Sequence, residues 1–207
     1  MKMVKKLVIY DCDGVLFDSF DAVMAYYDFI CEEFGLKKID RSDKKMVESA
    51  MIKTNEEIIN LLTDDKKKVS DILEFAKKQN FTKFLNLMKP TKNIKEALYL
   101  LKSKGLNIAV FTNRGSSLGY LLKHFDMDRY FDFTVNSFDV TNPKPHPEGL
   151  IKILNHFNLT NRDAIFVGDS INDYLPARST DTDFVAFGNK IENAPVIYDH
   201  LEIEGFI

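Results

Sequence analysis

Long apolar runs, cysteines and an excess of either charge are all scarce in this sequence, and each shortage excludes a class of protein. No stretch approaches the roughly 18 to 20 unbroken apolar residues that a membrane-spanning helix requires. The two cysteines, Cys12 and Cys31, have neither metal-ligand spacing nor a secretory context, so both are expected as free thiols. Lys and Arg total 28 against 31 Asp and Glu, a net charge of −3. A chain that relies on phosphate-backbone contacts shows a basic excess or stripe, so no nucleic-acid partner is expected. The run Lys66-Lys67-Lys68 lies between Asp64-Asp65 and Asp71 and reads as a solvated helix face. The basic start, Met1 to Lys6, is followed by only a short apolar run before Asp11 and by no small-residue cleavage site. That is too little for a signal peptide, so a cytoplasmic protein without membrane contact is expected.

What is present is ample apolar material. The chain has 207 residues, 45% of them hydrophobic and 29% charged, enough for one domain or one domain with a small insertion, and too apolar for a disordered chain. Leu7 to Tyr10 is a short apolar run that stops at Asp11-Cys12-Asp13-Gly14, as a buried strand with a polar loop at its carboxyl end does. From Ser19 the period becomes helical. Phe20, Val23, Met24, Tyr27, Ile30 and Phe34 fall at three- and four-residue steps, with Gly35 placed to cap the end. Thr54-Asn55-Glu56-Glu57 reads as a capping box, and Val69, Ile72, Leu73 and Ala76 suggest a further helix. No strand is expected between residues 19 and 88.

Beyond Pro90 strands and helices alternate. Helices are expected from about Asn93 to Lys104, through Leu118, Leu121, Leu122 and Phe125, from about Glu148 to Phe157, and briefly after Asp169. Strands are expected at Leu106 to Phe111, Phe131 to Val135, Ala164 to Val167 and Phe184 to Phe187. The expected fold class is α/β: a Rossmann-like parallel sheet with helices on both faces, carrying an all-helical insertion after its first strand. The domain bounds are 1–17 with 91–207 for the core and 18–90 for the insertion.

Ligands of open parallel sheets bind outside the carboxyl ends of the strands. Those ends carry Asp11 and Asp13, Thr112 and Asn113, then Asp169 and Asp173, with Lys144 in a loop among prolines. Three or four carboxylates in one place repel one another unless a cation neutralises them, and hard oxygen ligands favour magnesium over zinc. A carboxylate-held magnesium, a lysine and a threonine hydroxyl together suit a phosphoryl group. A carboxylate can also act as nucleophile, giving an aspartyl-phosphate. Aspartates one residue apart alternate faces in a strand; both can face one site if the chain leaves extended geometry there, and Gly14 makes such a turn inexpensive. Of the histidines, His146 reads as a loop residue, and His124, His156 and His200 show no pairing that suggests zinc.

Four segments together resemble the signatures of the haloacid-dehalogenase-like hydrolase superfamily. Asp11-Cys12-Asp13-Gly14-Val15-Leu16-Phe17-Asp18-Ser19 is similar to the first, Val110-Phe111-Thr112-Asn113 to the second, Lys144-Pro145-His146-Pro147 to the third, and Val167-Gly168-Asp169-Ser170-Ile171-Asn172-Asp173 to the fourth. The helical insertion resembles the cap of the phosphoglycolate-phosphatase-like branch. The resemblance implies a magnesium-dependent phosphatase acting on a small phosphorylated metabolite. It implies Asp11 as nucleophile, Asp13 as general acid and then base, and magnesium on the Asp11 carboxylate, the Asp13 backbone carbonyl and Asp169. Thr112 and the Asn113 backbone N–H would bind phosphate oxygens, Lys144 would neutralise charge, and Asp173 would orient a metal-bound water or Lys144.

Several neighbours carry weaker expectations. Ser170 reads as a helix N-cap, with contact to a metal-bound water as its other role. Arg114, Ser116 and Ser117 follow the phosphate-binding turn and are candidates for reaching substrate. Cys12 is expected to pack into the core. In the insertion, Arg41, Lys44, Lys45 and Lys53 fall in a less regular stretch and are either solvated or available to an anionic substrate.

Asp13 argues against the dehalogenase and phosphonatase branches. Gly168-Asp169-Ser170 in place of Glu-Asp-Ser, and no histidine from Phe20 to Tyr27, favour a hydrolase over a mutase of the β-phosphoglucomutase type. Pyrophosphate remains an alternative substrate. A receiver-type signalling module and a non-catalytic binding module are the remaining rivals. Ala177 to Asp181 departs from the small Ala-Gly turn usual in relatives. A monomer or a homodimer is expected.

Overall fold

Leu7–Tyr10 (β1) is apolar at all four positions, and all four are fully buried. A strand buried on both faces needs neighbours on both edges and layers above and below. The computed structural model, which describes residues 5–78 and 81–207, supplies both. Met1 to Val4 of the basic N-terminal run lie outside the described residues.

The chain divides into two compact units, Met1–Asp18 with Pro90–Ile207, and Ser19–Lys89. The first holds a six-stranded sheet built from β1, Asn107–Phe111 (β2), Phe133–Val135 (β3), Ala164–Gly168 (β4), Asp183–Phe187 (β5) and Val196–Ile197 (β6). Its spatial order is β3-β2-β1-β4-β5-β6, and every pairing is parallel. This is the Rossmann order, with the reversal of direction at β1. Leu7, Ile9, Ala109, Phe111, Ala164 and Phe166 form one buried face with Leu150 and Ile153 of Glu148–His156 and Ala177 of Ile171–Ser179. Val8, Tyr10, Ile108, Val110 and Val167 alternate to the opposite face and are equally buried. Helix Ile94–Ser103 packs against β2.

Two differences from the expected elements have local causes. The strand expected from Phe131 begins only at Phe133, because Asp128–Tyr130 winds into a 3-10 turn and the Asp132 carboxylate accepts the Ile108 N–H at 2.8 Å and Lys102 at 2.8 Å. Ala177 to Asp181 closes the helix that ends at Ser179. The Thr182 N–H reaches the Ala177 carbonyl at 2.9 Å, with Asp181 at φ +56° where glycine is the usual occupant. The C-terminal stretch adds β6 and a 3-10 segment, His200–Phe206.

The second unit contains helices α1 (Phe20–Glu33), α2 (Lys44–Ile52), α3 (Asn55–Leu62) and α4 (Lys66–Lys78), and a 3-10 segment Phe81–Leu87. Gly35 ends α1 at φ +59°, and the Leu36 N–H returns to the Cys31 carbonyl at 2.8 Å. The capping box at Thr54 forms, with the Glu57 carboxylate accepting the Thr54 N–H at 2.9 Å. Asn55 joins α3 to α1 by donating to the Tyr26 hydroxyl and accepting from the Tyr27 hydroxyl. Phe20, the first residue of the helical spacing, is 38% exposed. Lys44 and Lys45 open α2 instead of lying in an irregular stretch, because Asp43 caps the helix by accepting the Lys45 and Met46 N–H groups. Lys66 and Lys67 are exposed, and Lys67 pairs with Asp71. Among the described residues no helix is long and apolar enough to cross a membrane.

Candidate active site

β1 stops at Tyr10 and the chain turns at once. The Asp11 N–H still bonds the Val167 carbonyl at 2.9 Å, but the Leu16 and Phe17 N–H groups both return to the Cys12 carbonyl. Gly14 sits at φ +81°, and a Cβ there would lie 1.9 Å from Asp169 Oδ2, so only glycine lets the first loop approach the fourth strand's end this closely. The turn sets Asp13 on the same side as Asp11, and the Asp13 charge is felt by both Asp11 and Asp169. Cys12 is fully buried, and burial raises its thiol well above the usual range.

At the centre lies a buried ion cluster. Lys144 Nζ is 2.7 Å from Asp11 Oδ1 and 2.5 Å from Asp173 Oδ1, and all three residues are almost inaccessible. Carboxylate oxygens of Asp11, Asp169 and Asp173 come within 4.8 Å of one another. Burial and the neighbouring Asp173 push Asp11 up to about 7 despite Lys144. Burial, then Asp11 and Asp173, push Asp169 up to about 8. Burial works against the Lys144 charge, but the two carboxylates outweigh it and hold its ammonium more firmly than usual. Three carboxylates against one ammonium leave negative charge uncompensated in a poorly solvated place. The all-oxygen donor set and this deficit fit a hard divalent cation such as magnesium.

The helix entrance orients Asp173. Asp173 Oδ2 accepts both the Ser170 hydroxyl at 2.6 Å and the Ser170 N–H at 3.1 Å, which fixes Ser170 at the helix entrance. Gly168 makes room for this, since a Cβ there would meet Asp173 Cβ at 2.3 Å. The Asp169 carbonyl accepts from the Asn189 amide at 3.1 Å.

The loop after β2 links the other pieces. Thr112 is buried, and its hydroxyl oxygen accepts the Arg114 N–H at 3.1 Å. The Asn113 side chain bonds both backbone groups of Lys144, at 2.9 Å each. Arg114 turns onto Asp13, with Nε 3.0 Å from Oδ2 and a second nitrogen on Oδ1, while its third nitrogen bonds the Ser117 hydroxyl at 3.2 Å. Ser116 remains exposed. In the helical unit, Arg41 pairs with Asp28 and Lys53 with Glu57, while Lys44 and Lys45 are exposed. His146 accepts the Glu148 N–H, a loop role.

Two residues of this neighbourhood carry no signal in the sequence. The Thr91 hydroxyl bonds the Val15 carbonyl at 2.6 Å, and His200 Nε2 lies 3.0 Å from the same carbonyl and 2.9 Å from Thr91. They brace the turn that carries Asp13 from 76 and 185 residues away in the chain, a separation over which no local pattern operates. A carbonyl only accepts, so His200 carries its proton on Nε2. Burial pushes this imidazole down to about 4 and keeps it neutral.

Comparison with known proteins agrees with this architecture. The family model described as haloacid dehalogenase-like hydrolase matches residues 8–187. The chain is 26% identical to a pyrophosphatase, PpaX, of Halalkalibacterium halodurans, over 83% of this chain and 78% of that one. It is 29% identical to a phosphoglycolate phosphatase of Mannheimia succiniciproducens, over 84% of this chain and 81% of that one. A crystal structure of a HAD-superfamily hydrolase, subfamily IA, variant 1, from Geobacter sulfurreducens superposes with a TM-score of 0.87 at 34% identity, covering 99% of this chain and 100% of that one. With the sheet order, the four signature segments and these likenesses in agreement, the chain belongs to the haloacid dehalogenase-like hydrolases.

Proposed function

We propose that this protein is a magnesium-dependent phosphatase that hydrolyses a small phosphate monoester through a phosphorylated Asp11. The observation that carries the reading is the buried Asp11–Lys144–Asp173 cluster, with a carboxylate oxygen of Asp169 within 4.8 Å of those of Asp11 and Asp173, beyond the carboxyl ends of β1 and β4. The likeness to phosphoglycolate phosphatases supports the phosphatase class. The helical unit Ser19–Lys89 is read as the cap that selects the ester.

In this reading Lys144 holds Asp11 Oδ1, and the other oxygen attacks phosphorus as the ester oxygen departs. Asp13 gives the departing oxygen a proton. It then takes one from the water that attacks the phosphorylated Asp11, releasing inorganic phosphate and restoring the carboxylate. The Thr112 hydroxyl and the Asn113 backbone N–H serve as donors to the phosphoryl oxygens, and Lys144 offsets their charge. Asp11, Asp169 and the Asp13 backbone carbonyl would hold magnesium, which supplies electrostatic stabilisation of the transferring group. Asp173 positions Lys144.

A second reading, hydrolysis of a phosphoanhydride such as pyrophosphate, is favoured by the similarity to PpaX and uses the same residues. Phosphate release from a panel of small monoesters and pyrophosphate, with magnesium and with a chelator, tests both. Magnesium-dependent turnover that disappears in Asp11→Asn while the fold is retained supports the assignment. Activity that survives in Asp11→Asn, or release indifferent to the chelator, overturns it.

A further inference from the structure

Each of the three guanidinium nitrogens of Arg114 makes a hydrogen bond within the protein. Nε and one terminal nitrogen straddle the two oxygens of Asp13, and the other terminal nitrogen bonds Ser117. Its side chain is only 6% exposed, and that of Asp13 only 16%. The backbone beneath is fixed too, since the Arg114 N–H donates to the Thr112 hydroxyl oxygen and its carbonyl accepts the Ser137 N–H at 3.2 Å. An arginine that reads a substrate phosphate presents its donors to solvent until substrate arrives. This one spends them inside the protein.

The pairing also has an electrostatic purpose. Asp13 stands near Asp11 and Asp169, and its charge adds to the repulsion that both experience. A carboxylate side chain in such a field swings away from its neighbours unless something holds it. A bidentate fork fixes both the position and the plane of a carboxylate, which a point charge does not.

Resting on the reading of Asp13 as the acid and base of the reaction, we propose that Arg114 is a positioning residue: with Ser117 as its own anchor, it holds the Asp13 carboxylate in the geometry for proton transfer and does not bind the substrate's phosphate. The loop after β2 then serves three ends at once. Thr112 meets the phosphoryl group, Asn113 sets the Lys144 backbone, and Arg114 sets Asp13.

The test compares two aryl esters, p-nitrophenyl phosphate, whose leaving group departs without help, and phenyl phosphate, whose leaving group needs a proton. Arg114→Lys, Arg114→Met and Asp13→Asn are measured with magnesium, each after its melting curve establishes folding, together with inhibition by inorganic phosphate. Arg114→Lys is expected to lower kcat on phenyl phosphate about 10-fold or more, with a loss of only about two- to threefold on p-nitrophenyl phosphate. Arg114→Met follows the same selectivity with a larger loss, because it lacks the charge as well as the fork. Inhibition by inorganic phosphate stays unchanged in both.

Equal losses on the two esters, or phosphate inhibition that weakens in step with kcat/KM, overturn the positioning role and return Arg114 to substrate binding. Should Arg114→Met fail to fold, Arg114→Lys decides the matter alone. Asp13→Asn separates the two levels of the argument. If it shows no selective loss on phenyl phosphate, the role given to Asp13 fails; if it does and Arg114→Lys does not, only the positioning role fails.

Discussion

Asn113 and Lys144 exchange two hydrogen bonds: the Asn113 amide donates to the Lys144 carbonyl and its oxygen accepts the Lys144 N–H, each at 2.9 Å. A side chain here imitates a strand neighbour, joining the loop after β2 to the loop whose lysine reaches Asp11. Asn113→Ala should lower stability by about 1–3 kcal/mol and reduce kcat about 10-fold, because Lys144 Nζ loses its fixed origin. Asn113→Asp should be worse, since a carboxylate cannot donate to the Lys144 carbonyl. Thermal unfolding together with steady-state kinetics checks both, and wild-type kcat in Asn113→Ala would show that the clamp is dispensable.

The acidic cluster should make stability depend on pH and on divalent cations together. Asp11 and Asp169 are raised from 3.8 to about 7 and about 8. A carboxyl raised on folding contributes its stability below pH 4, and that contribution is lost as pH rises through 7 and 8. Magnesium should therefore raise Tm most at pH 8.5, where both groups are ionised, and little at pH 5, where protons compete for the same oxygens. Asp169→Asn should abolish the magnesium increment. An increment equal at both pH values would place the cation elsewhere.

Gly14→Ala meets two obstacles at once, φ of +81° and the Asp169 carboxylate 1.9 Å from the added carbon. A loss of about 1–3 kcal/mol is expected from the strained backbone. Activity should fall further than stability, because the turn that carries Asp13 and the carboxylate of Asp169 must separate. Unfolding curves and turnover at saturating magnesium measure the two losses.

His200 gives a signal of the opposite sign. Its imidazole is lowered from 6.5 to about 4 by burial, so its contribution is complete above pH 6.5 and is lost as pH falls through 4. The difference corresponds to on the order of 3 kcal/mol at most. His200→Gln, which keeps a donor for the Val15 carbonyl, should flatten the fall in stability between pH 6.5 and 4 relative to wild type. Parallel curves for the two proteins would show that His200 does not titrate with unfolding.

Asp11, Lys144, Asp169 and Asp173 were legible in the sequence because each breaks an apolar run or a proline cluster where a parallel sheet ends. The parallel sheet with its covering helices was legible from the alternation of strands and helices. The work of Arg114 and Asn113 was not legible, since their partners lie 101 and 31 residues away and the loop's polarity is equally that of a surface. Thr91 and His200 were invisible for the same reason. Helix α2 fully buries only Ala50, so its apolar residues mark no deep face, and β6 has two residues and no period at all. Phe20 shows that helical spacing marks a face without saying how far along the helix that face stays covered.

β1 is the first strand in the chain and lies in the middle of the sheet, its register fixed by Asn107 to Val110 on one side and Ala164 to Val167 on the other. Both partners are more than 90 residues downstream. As the chain leaves the ribosome, four bare apolar residues and the aspartate behind them, Asp11, wait through the whole helical unit for a first partner, and until Val167 for a second. Closing such distant pairs slows folding, and an unpaired apolar strand invites association in the interval. The local turn at Gly14 therefore cannot by itself assemble the site: Asp11 meets Asp169 and Asp173 only once the chain has been made beyond Asp173.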